Sequence, residues 1–106
     1  MTDKRYAIEF LPSALRELGN VPPDARQDVV EAIDALSADP RPEGVTLLGG
    51  TGKVRVWRIT VGNYRVLFQA RDDVLVVLIV RVADRREVYR QTEIKRLLKR
   101  IRAARR

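Results

Sequence analysis

Apolar and polar residues alternate most regularly between Val54 and Arg90. Two apolar-rich runs in this stretch meet at Gly62-Asn63, a dipeptide typical of a two-residue β-hairpin turn. A second turn at Asp72-Asp73 precedes the run from Val74 to Val82, which is almost continuously apolar and β-branched, as a strand buried on both faces should be. The pattern therefore predicts a three-stranded antiparallel meander whose third strand is central in the sheet.

A two-residue loop at Gly62-Asn63 also fixes which hairpin residues share a face, because directly opposed residues point to the same side. One face carries Arg58, Thr60 and Arg65 and is predicted to lie away from the main core. Two arginines would then be held close together on a rigid sheet, although charged residues on an outer sheet face are most often simply solvated. The other face is the predicted core face, and it consists of Trp57, Ile59, Val61, Tyr64, Val66 and Phe68.

The segments that flank the meander predict one further strand and three helices. Apolar residues recur at helical spacing in the second and third of these helices, so each buries one side. The chain is thus predicted to be a single α+β domain over residues 1–106, with an N-terminal strand, a two-helix hairpin, the meander and a C-terminal helix. The predicted flanking elements are a strand over Lys4–Phe10, helices from Pro12 to Gly19-Asn20 and from Pro22 to Leu36, a Pro/Gly-rich connection over Arg41–Lys53, and a helix from Gln91 onward.

The chain contains no cysteine and no histidine. This excludes disulfides and thiol catalysis, and it removes the commonest metal ligand and the commonest general base. Turn chemistry explains the carboxylate pair Asp72-Asp73 better than metal binding does, so we expect neither a metal nor a cofactor. Because no run is long enough to span a bilayer and the N-terminus lacks a secretory signal, we expect a cytoplasmic protein with no membrane partner.

The positive charge of the chain is concentrated at its C-terminal end. The net charge is +7, and residues 85–106 hold ten Lys or Arg against two Glu, a net of +8. Residues 1–84 hold eleven Lys or Arg against twelve acidic residues, a net of −1. Such an asymmetry indicates a polyanion or an acidic protein partner, although a solvated basic helix end is a common alternative.

The order of these elements and several short motifs resemble the RelE/ParE toxin superfamily, the toxin halves of bacterial toxin–antitoxin pairs. The matching pieces are the W-R-I-x-V-G-x-Y-R-V hairpin (Trp57 to Val66), the acidic turn, the apolar strand and the R-R-E-V-Y ending (Arg85 to Tyr89). The resemblance favours the RelE-like branch and implies a microbial-ribonuclease-like fold. It also implies that four residues occupy the family's functional positions, namely Arg58, Arg65, Arg85 and Tyr89.

In the RelE-like branch these residues would serve a metal-independent endoribonuclease that cuts mRNA on the ribosome. An arginine fork matches phosphate oxygens, and an aromatic ring can stack on an unpaired base. Two positions depart from the family pattern: Thr60 replaces a lysine found in some active members, and Asp84 stands beside Arg85. Asp84 could repel RNA or could pair with Arg86 or Arg65, and the general base stays open between Asp84 and Tyr89.

Two other functions are compatible with the same resemblance. A ParE-like toxin would bind and poison DNA gyrase without cleaving RNA, and a decayed toxin would only bind its antitoxin. The arginine cluster with Tyr89 favours the ribonuclease, because a gyrase binder has no evident use for it. Further expected RNA contacts are Lys53, Arg55, Arg86, Arg90, Lys95 and Lys99.

The resemblance also implies an antitoxin partner with an acidic C-terminal segment. We expect this segment on the apolar stripe of the third helix, where it either displaces the helix or neutralises Arg65 and Arg85. Alternatively, the stripe is a permanent part of the core, and the antitoxin binds the first two helices. The stripe consists of Ile94, Leu97, Leu98 and Ile101.

Overall fold

The computed structural model describes residues 5–51, 54–87 and 91–104. It confirms the α+β class. In chain order the elements are β1 (Ala7–Phe10), α1 (Pro12–Gly19), α2 (Pro23–Ala35), β2 (Thr46–Thr51), β3 (Val54–Val61), β4 (Tyr64–Arg71), β5 (Val76–Asp84) and α3 (Gln91–Ala104).

The five strands form one sheet in the order β1-β5-β4-β3-β2. β1 pairs with β5 in parallel, and the other neighbours pair antiparallel. The turn between β3 and β4 places Val61 opposite Tyr64 and Trp57 opposite Phe68, so the predicted hairpin register is confirmed. Gly62 adopts a φ of 57°, a conformation that glycine reaches without steric cost. The side of the sheet that carries Trp57, Ile59 and Val66 is called the Trp57 face, and the side that carries Arg58, Thr60 and Arg65 is called the Arg65 face.

Three details of the prediction are wrong. The Pro/Gly-rich connection contains a strand, because β2 pairs with β3 at the edge of the sheet. Its alternation is hidden by a register shift between Leu47 and Gly49. The middle strand of the sheet is β4, whereas β5 is an interior strand between β1 and β4. The acidic turn is also longer than two residues, since β5 begins at Val76.

Both faces of the sheet are buried, which corrects the expectation that the Arg65 face lies away from the core. Val56 and Leu67 share that face and are fully buried. Gly49 pairs with Val56, and a Cβ on Gly49 would lie 2.9 Å from Cγ2 of Ile94. α3 therefore covers the β2–β3 end of the Arg65 face and leaves the part near the hairpin turn open.

One half-buried cation joins three parts of the fold. Nη2 of Arg81 lies 2.9 Å from Oε2 of Glu17 in α1 and 2.8 Å from Oε2 of Glu87 after β5. Its Nη1 lies 3.9 Å from Oε2 of Glu93 in α3. Burial lowers the pKa of Arg81, but hydrogen bonds and charge interactions with Glu17 and Glu87 outweigh this and raise the pKa above its usual range. These four residues are called the Arg81 junction.

Glu17 has a second task at the sheet edge. β1 ends at Phe10, which pairs with Ile79, so β1 does not reach the later residues of β5. The N–H of Val82 in that later part donates to Oε1 of Glu17 at 3.0 Å. One carboxylate thus replaces the missing strand neighbour with one oxygen and holds Arg81 with the other. A buried N–H needs such an acceptor, because leaving it unsatisfied costs free energy.

We expect Glu17→Ala to lower the free energy of unfolding by about 1–3 kcal/mol, because it removes the acceptor of a backbone N–H and a partner of Arg81. Urea unfolding of the purified protein measures the change. Glu31→Ala is the matched control, since Glu31 is exposed on α2, and it should stay within about 0.5 kcal/mol of the parent. Equal effects of the two substitutions would contradict the role given to Glu17.

Candidate active site

Two of the expected site residues lie together on the open part of the Arg65 face. Arg65 on β4 is opposite Thr60 on β3, and Arg58 lies two residues before Thr60 on the same face. Arg58 and Arg65 are therefore diagonal neighbours, which lie roughly 7–8 Å apart on a sheet. Both are half-buried, so their aliphatic stems are held while the guanidinium groups can reach solvent.

The third expected arginine, Arg85, is fixed by its backbone. Its N–H donates to the carbonyl oxygen of Asn63 at 2.7 Å, and its own carbonyl accepts from Nη1 of Arg65 at 2.5 Å. The N–H of Glu87 donates to the carbonyl of Asp84 at 3.0 Å and closes the turn. The side chain of Arg85 is exposed, and within the described ranges it forms no hydrogen bond or ion pair. The turn thus fixes the backbone of Arg85 against Arg65 and leaves the Arg85 side chain exposed.

Arg65 is only partly satisfied by Arg85. Its Nε is buried and has no hydrogen-bond partner among the described residues. Buried polar atoms in folded proteins nearly always have a partner, and an orphan donor on a guanidinium suits an anionic oxygen. Within the described ranges, Arg65 therefore combines a structural hydrogen bond to the turn with one buried nitrogen that has no partner.

The carboxylate of Asp84 does not lie on the same face of the sheet as Arg58 and Arg65. It is paired with Tyr64, so it belongs to the Trp57 face, and Arg65 belongs to the other. Its Oδ1 accepts from the backbone N–H of Arg86 at 2.9 Å and from Nε of Arg86 at 3.0 Å. The side chain of Arg86 first, and its backbone N–H second, hold the pKa of Asp84 below its usual range. Of the two expected pairings, the one with Arg86 is present, and Asp84 is poorly placed to act as a base beside Arg65.

The remaining site expectations divide into three groups. Tyr89, Lys53 and Arg90 lie outside the described residues. Among the expected RNA contacts, Arg55 is exposed, but it lies two residues before Trp57 and therefore on the face opposite to Arg65. Arg86 is exposed in the turn that carries Arg85, and Lys95 and Lys99 are exposed on α3. In the expected antitoxin stripe, Ile94, Leu97 and Ile101 are buried and Leu98 is half-buried against the core.

Arg81 is the residue of this region that sequence reasoning missed. It is opposite Leu67, so it shares the Arg65 face, and Glu87 links it to the turn that carries Arg85. A signal for it does exist, since Arg81 is the one charged residue in the apolar run Val76–Ala83. An arginine inside such a strand requires carboxylate partners, but the sequence alone does not show which ones.

Within the described ranges, no group of three or more Asp and Glu side chains lies in a position to hold a metal ion. In the same part of the chain, no helix is both long enough and apolar enough to cross a membrane.

Comparison with known proteins supplies the family. Residues 8–89 match the family model described as the ParE toxin of the type II toxin–antitoxin system parDE. The chain is 36% identical over 90 residues to Toxin RelG of Mycobacterium tuberculosis, a match that covers 81% of this chain and 98% of that protein.

Solved structures agree with these sequence matches. The archaeal RelE–RelB complex from Pyrococcus horikoshii aligns with a TM-score of 0.71 over 79% of this chain and 99% of that chain. The two sequences are 24% identical, so this alignment shows a shared fold. The toxin–antitoxin complex RelBE2 from Mycobacterium tuberculosis aligns with a TM-score of 0.64 and 30% identity over 76% of this chain and 99% of that chain. The resemblance seen in the sequence is confirmed, and the chain belongs to the RelE/ParE superfamily of type II toxin–antitoxin toxins.

Proposed function

We propose that this toxin is a metal-independent endoribonuclease that cuts mRNA in the ribosomal A site. The observation that carries the proposal is the pairing of Arg65 with the turn of Arg85. That contact holds the half-buried guanidinium of Arg65 against the turn that carries the exposed side chain of Arg85. Two arginines placed in this way suit the phosphate at a scissile bond, since arginine stays charged and its planar fork matches phosphate oxygens.

Cleavage by attack of a 2′-hydroxyl needs a group that takes the 2′ proton, donors that stabilise charge on the phosphoryl oxygens, and a group that protonates the leaving 5′ oxygen. Arg65 and Arg85 suit the second task, because the fold holds the guanidinium of Arg65 and the backbone of Arg85 together. Arg58 adds a third cation on the same face. Tyr89 follows Arg85 by four residues, and we assign it stacking on a base or proton transfer. The products would be a 2′,3′-cyclic phosphate or 3′-phosphate end and a free 5′-hydroxyl.

The ribosome would supply the positioning that this small site lacks. α3 presents Lys95 and Lys99 to solvent, and its last turn continues into a basic C-terminus. Lysine and arginine on one helix attract the RNA backbone without reading its sequence. This supports ribosomal RNA as the surface on which the toxin docks while Arg65 and Arg85 face the mRNA.

The same surface suits an antitoxin. The solved relatives from Pyrococcus horikoshii and Mycobacterium tuberculosis are a RelE–RelB complex and a toxin–antitoxin complex, respectively. In this chain the stripe of α3 is buried on its own sheet, so a partner can reach Ile94 and Leu97 only by displacing α3. The contact between Arg81 and Glu93 is the longest in the Arg81 junction at 3.9 Å, and it would break first. An acidic, amphipathic segment would replace both the apolar stripe and the carboxylate of Glu93.

The second candidate function is poisoning of DNA gyrase without RNA cleavage. The match of residues 8–89 to the ParE toxin family favours it. The contact between Arg65 and the turn of Arg85 favours the ribonuclease, because a gyrase binder has no evident use for this pair of arginines. A supercoiling assay with purified gyrase separates the two functions directly.

We expect Arg85→Ala to lower the rate of mRNA cleavage on ribosomes by about 10²–10³-fold, as loss of one donor to a transition-state oxyanion typically does. Its thermal unfolding should not change, because the Arg85 side chain is exposed. Arg65→Ala should lose at least as much activity, since it also releases the Arg85 carbonyl. Tyr89→Phe should lower the rate if its hydroxyl transfers a proton.

Primer extension on a translated reporter measures these rates, and Arg16→Ala, an exposed arginine near the end of α1, is the matched control. Full cleavage by folded Arg85→Ala and Arg65→Ala proteins would place the active site elsewhere.

Hydrogen exchange with and without the antitoxin tests the partner's location. We expect protection to change across Thr92–Ile101, because the antitoxin segment displaces α3, while β3 and β4 stay protected under the new partner. Protection gained only over Pro12–Leu36, with none changed across Thr92–Ile101, would instead place the antitoxin on the first two helices.

A further inference from the structure

A cavity of about 260 Å³ opens on the Trp57 face, at the end of β3 away from the Gly62-Asn63 turn. Trp57, the small side chain of Ala70, and the acidic turn after β4 form part of its wall. Three arginines complete the lining, namely Arg41, Arg55 and Arg71. It lies on the opposite side of the sheet from Arg58 and Arg65, so it is separate from the candidate active site.

The cavity exists because of a small residue beside the indole. Phe68 on β4 is the partner of Trp57 on β3, and Ala70 lies two residues further on the same face. A larger side chain at that position would fill the space next to the ring. Trp57 and Ala70 are both half-buried, so this space is open to solvent.

One side of the indole is already stacked on a cation that cannot move freely. The Arg41 guanidinium lies 5.6 Å from the centre of the Trp57 ring. Two hydrogen bonds to Asp72, of 2.6 and 3.1 Å, hold that guanidinium, and Tyr6 donates to the same carboxylate at 2.7 Å. The ring and its stacked guanidinium thus form a preorganised flat surface.

Arg55 supplies donors that the described part of the protein does not use. It is exposed and forms no hydrogen bond or ion pair within the described ranges. Arg71 lies at the rim of the cavity, but it alternates with Ala70 along β4, so its side chain belongs to the Arg65 face. An exposed guanidinium beside a cavity suits an anionic oxygen.

A flat aromatic ring beside unsatisfied guanidinium donors is the combination that binds an unpaired nucleotide, with its base on the ring and its phosphate on the arginines. The volume is below the roughly 300–1,000 Å³ of sites for drug-sized ligands, which suits a single base. An acidic peptide would use the arginines but would leave the indole without a flat partner.

We propose that this cavity, the Trp57 pocket, binds one nucleotide of single-stranded RNA, with the base against Trp57 and Ala70 and the phosphate at Arg55. It gives the toxin a second RNA contact on the side of the sheet opposite to Arg65. The pocket relies on the proposed function only in taking RNA as the ligand, and its occupancy does not require cleavage.

Trp57 is the only tryptophan in the chain, so its fluorescence reports on this pocket alone. The probe is a six-nucleotide, fully 2′-O-methylated oligoribonucleotide, which cannot be cleaved by attack of a 2′-hydroxyl. We expect saturable quenching of Trp57 as the probe is added. Ala70→Leu, which fills the cavity, and Arg55→Gln, which removes the exposed donor, should each weaken binding by about tenfold, since stacking and phosphate contacts act together. Arg16→Gln is the matched control for lost positive charge and should bind like the parent.

Arg85→Ala should quench like the parent even if cleavage is lost, so failure of the pocket and failure of the active site give different results. Absence of quenching, or equal quenching by Ala70→Leu, Arg55→Gln and the parent, would overturn the proposal. So would displacement of the probe by an equally charged polyglutamate peptide at the same concentration, because the pocket would then recognise acidic protein. If Ala70→Leu does not fold, Arg55→Gln against Arg16→Gln decides the matter.

Discussion

The position of Arg81 inside an apolar strand is the constraint on which much of this fold depends. A guanidinium that is largely withdrawn from water must be paired, and among the described residues carboxylates from α1, from the turn after β5 and from α3 pair with it. Arg81 ties all three to the same strand, and Glu17 also closes the edge of β5 that β1 leaves free.

The geometry of the candidate active site depends on the Arg81 junction. Glu87 is held by Arg81 and at the same time closes the turn that presents Arg85. Asn63, at the tip of the β3–β4 hairpin, and Arg65 fix the backbone of Arg85 from the other side. The guanidinium of Arg65 and the backbone of Arg85 are therefore held by hydrogen bonds of the hairpin and of the turn, even though much of the same sheet face is core.

The parts of the fold that follow from local rules were predictable from the sequence. The two-residue turn at Gly62-Asn63 set the hairpin register, and with it the shared face of Arg58 and Arg65. The edge strand β2 was not predictable, because Gly49 and the register shift beside it remove the alternation that marks a strand. The need for that glycine becomes clear only in the fold, because Cγ2 of Ile94 in α3 lies 2.9 Å from where a Cβ would be. The partners of Arg81 are likewise tertiary, since Glu17 is 64 residues away in the chain. In contrast, the partner of Asp84 is Arg86, two residues away in the chain. The sequence had predicted either Arg86 or Arg65 as this partner.

The central claim is that the cations around Arg65 act on RNA. The most direct test maps the 5′ ends of cellular transcripts immediately after the toxin is produced, with gyrase supercoiling measured in the same cells. The account predicts new ends inside translated codons, and their loss from a reporter whose start codon is removed, because the ribosome presents the substrate. Intact transcripts during full growth arrest, together with accumulated gyrase–DNA cleavage complexes, would contradict it.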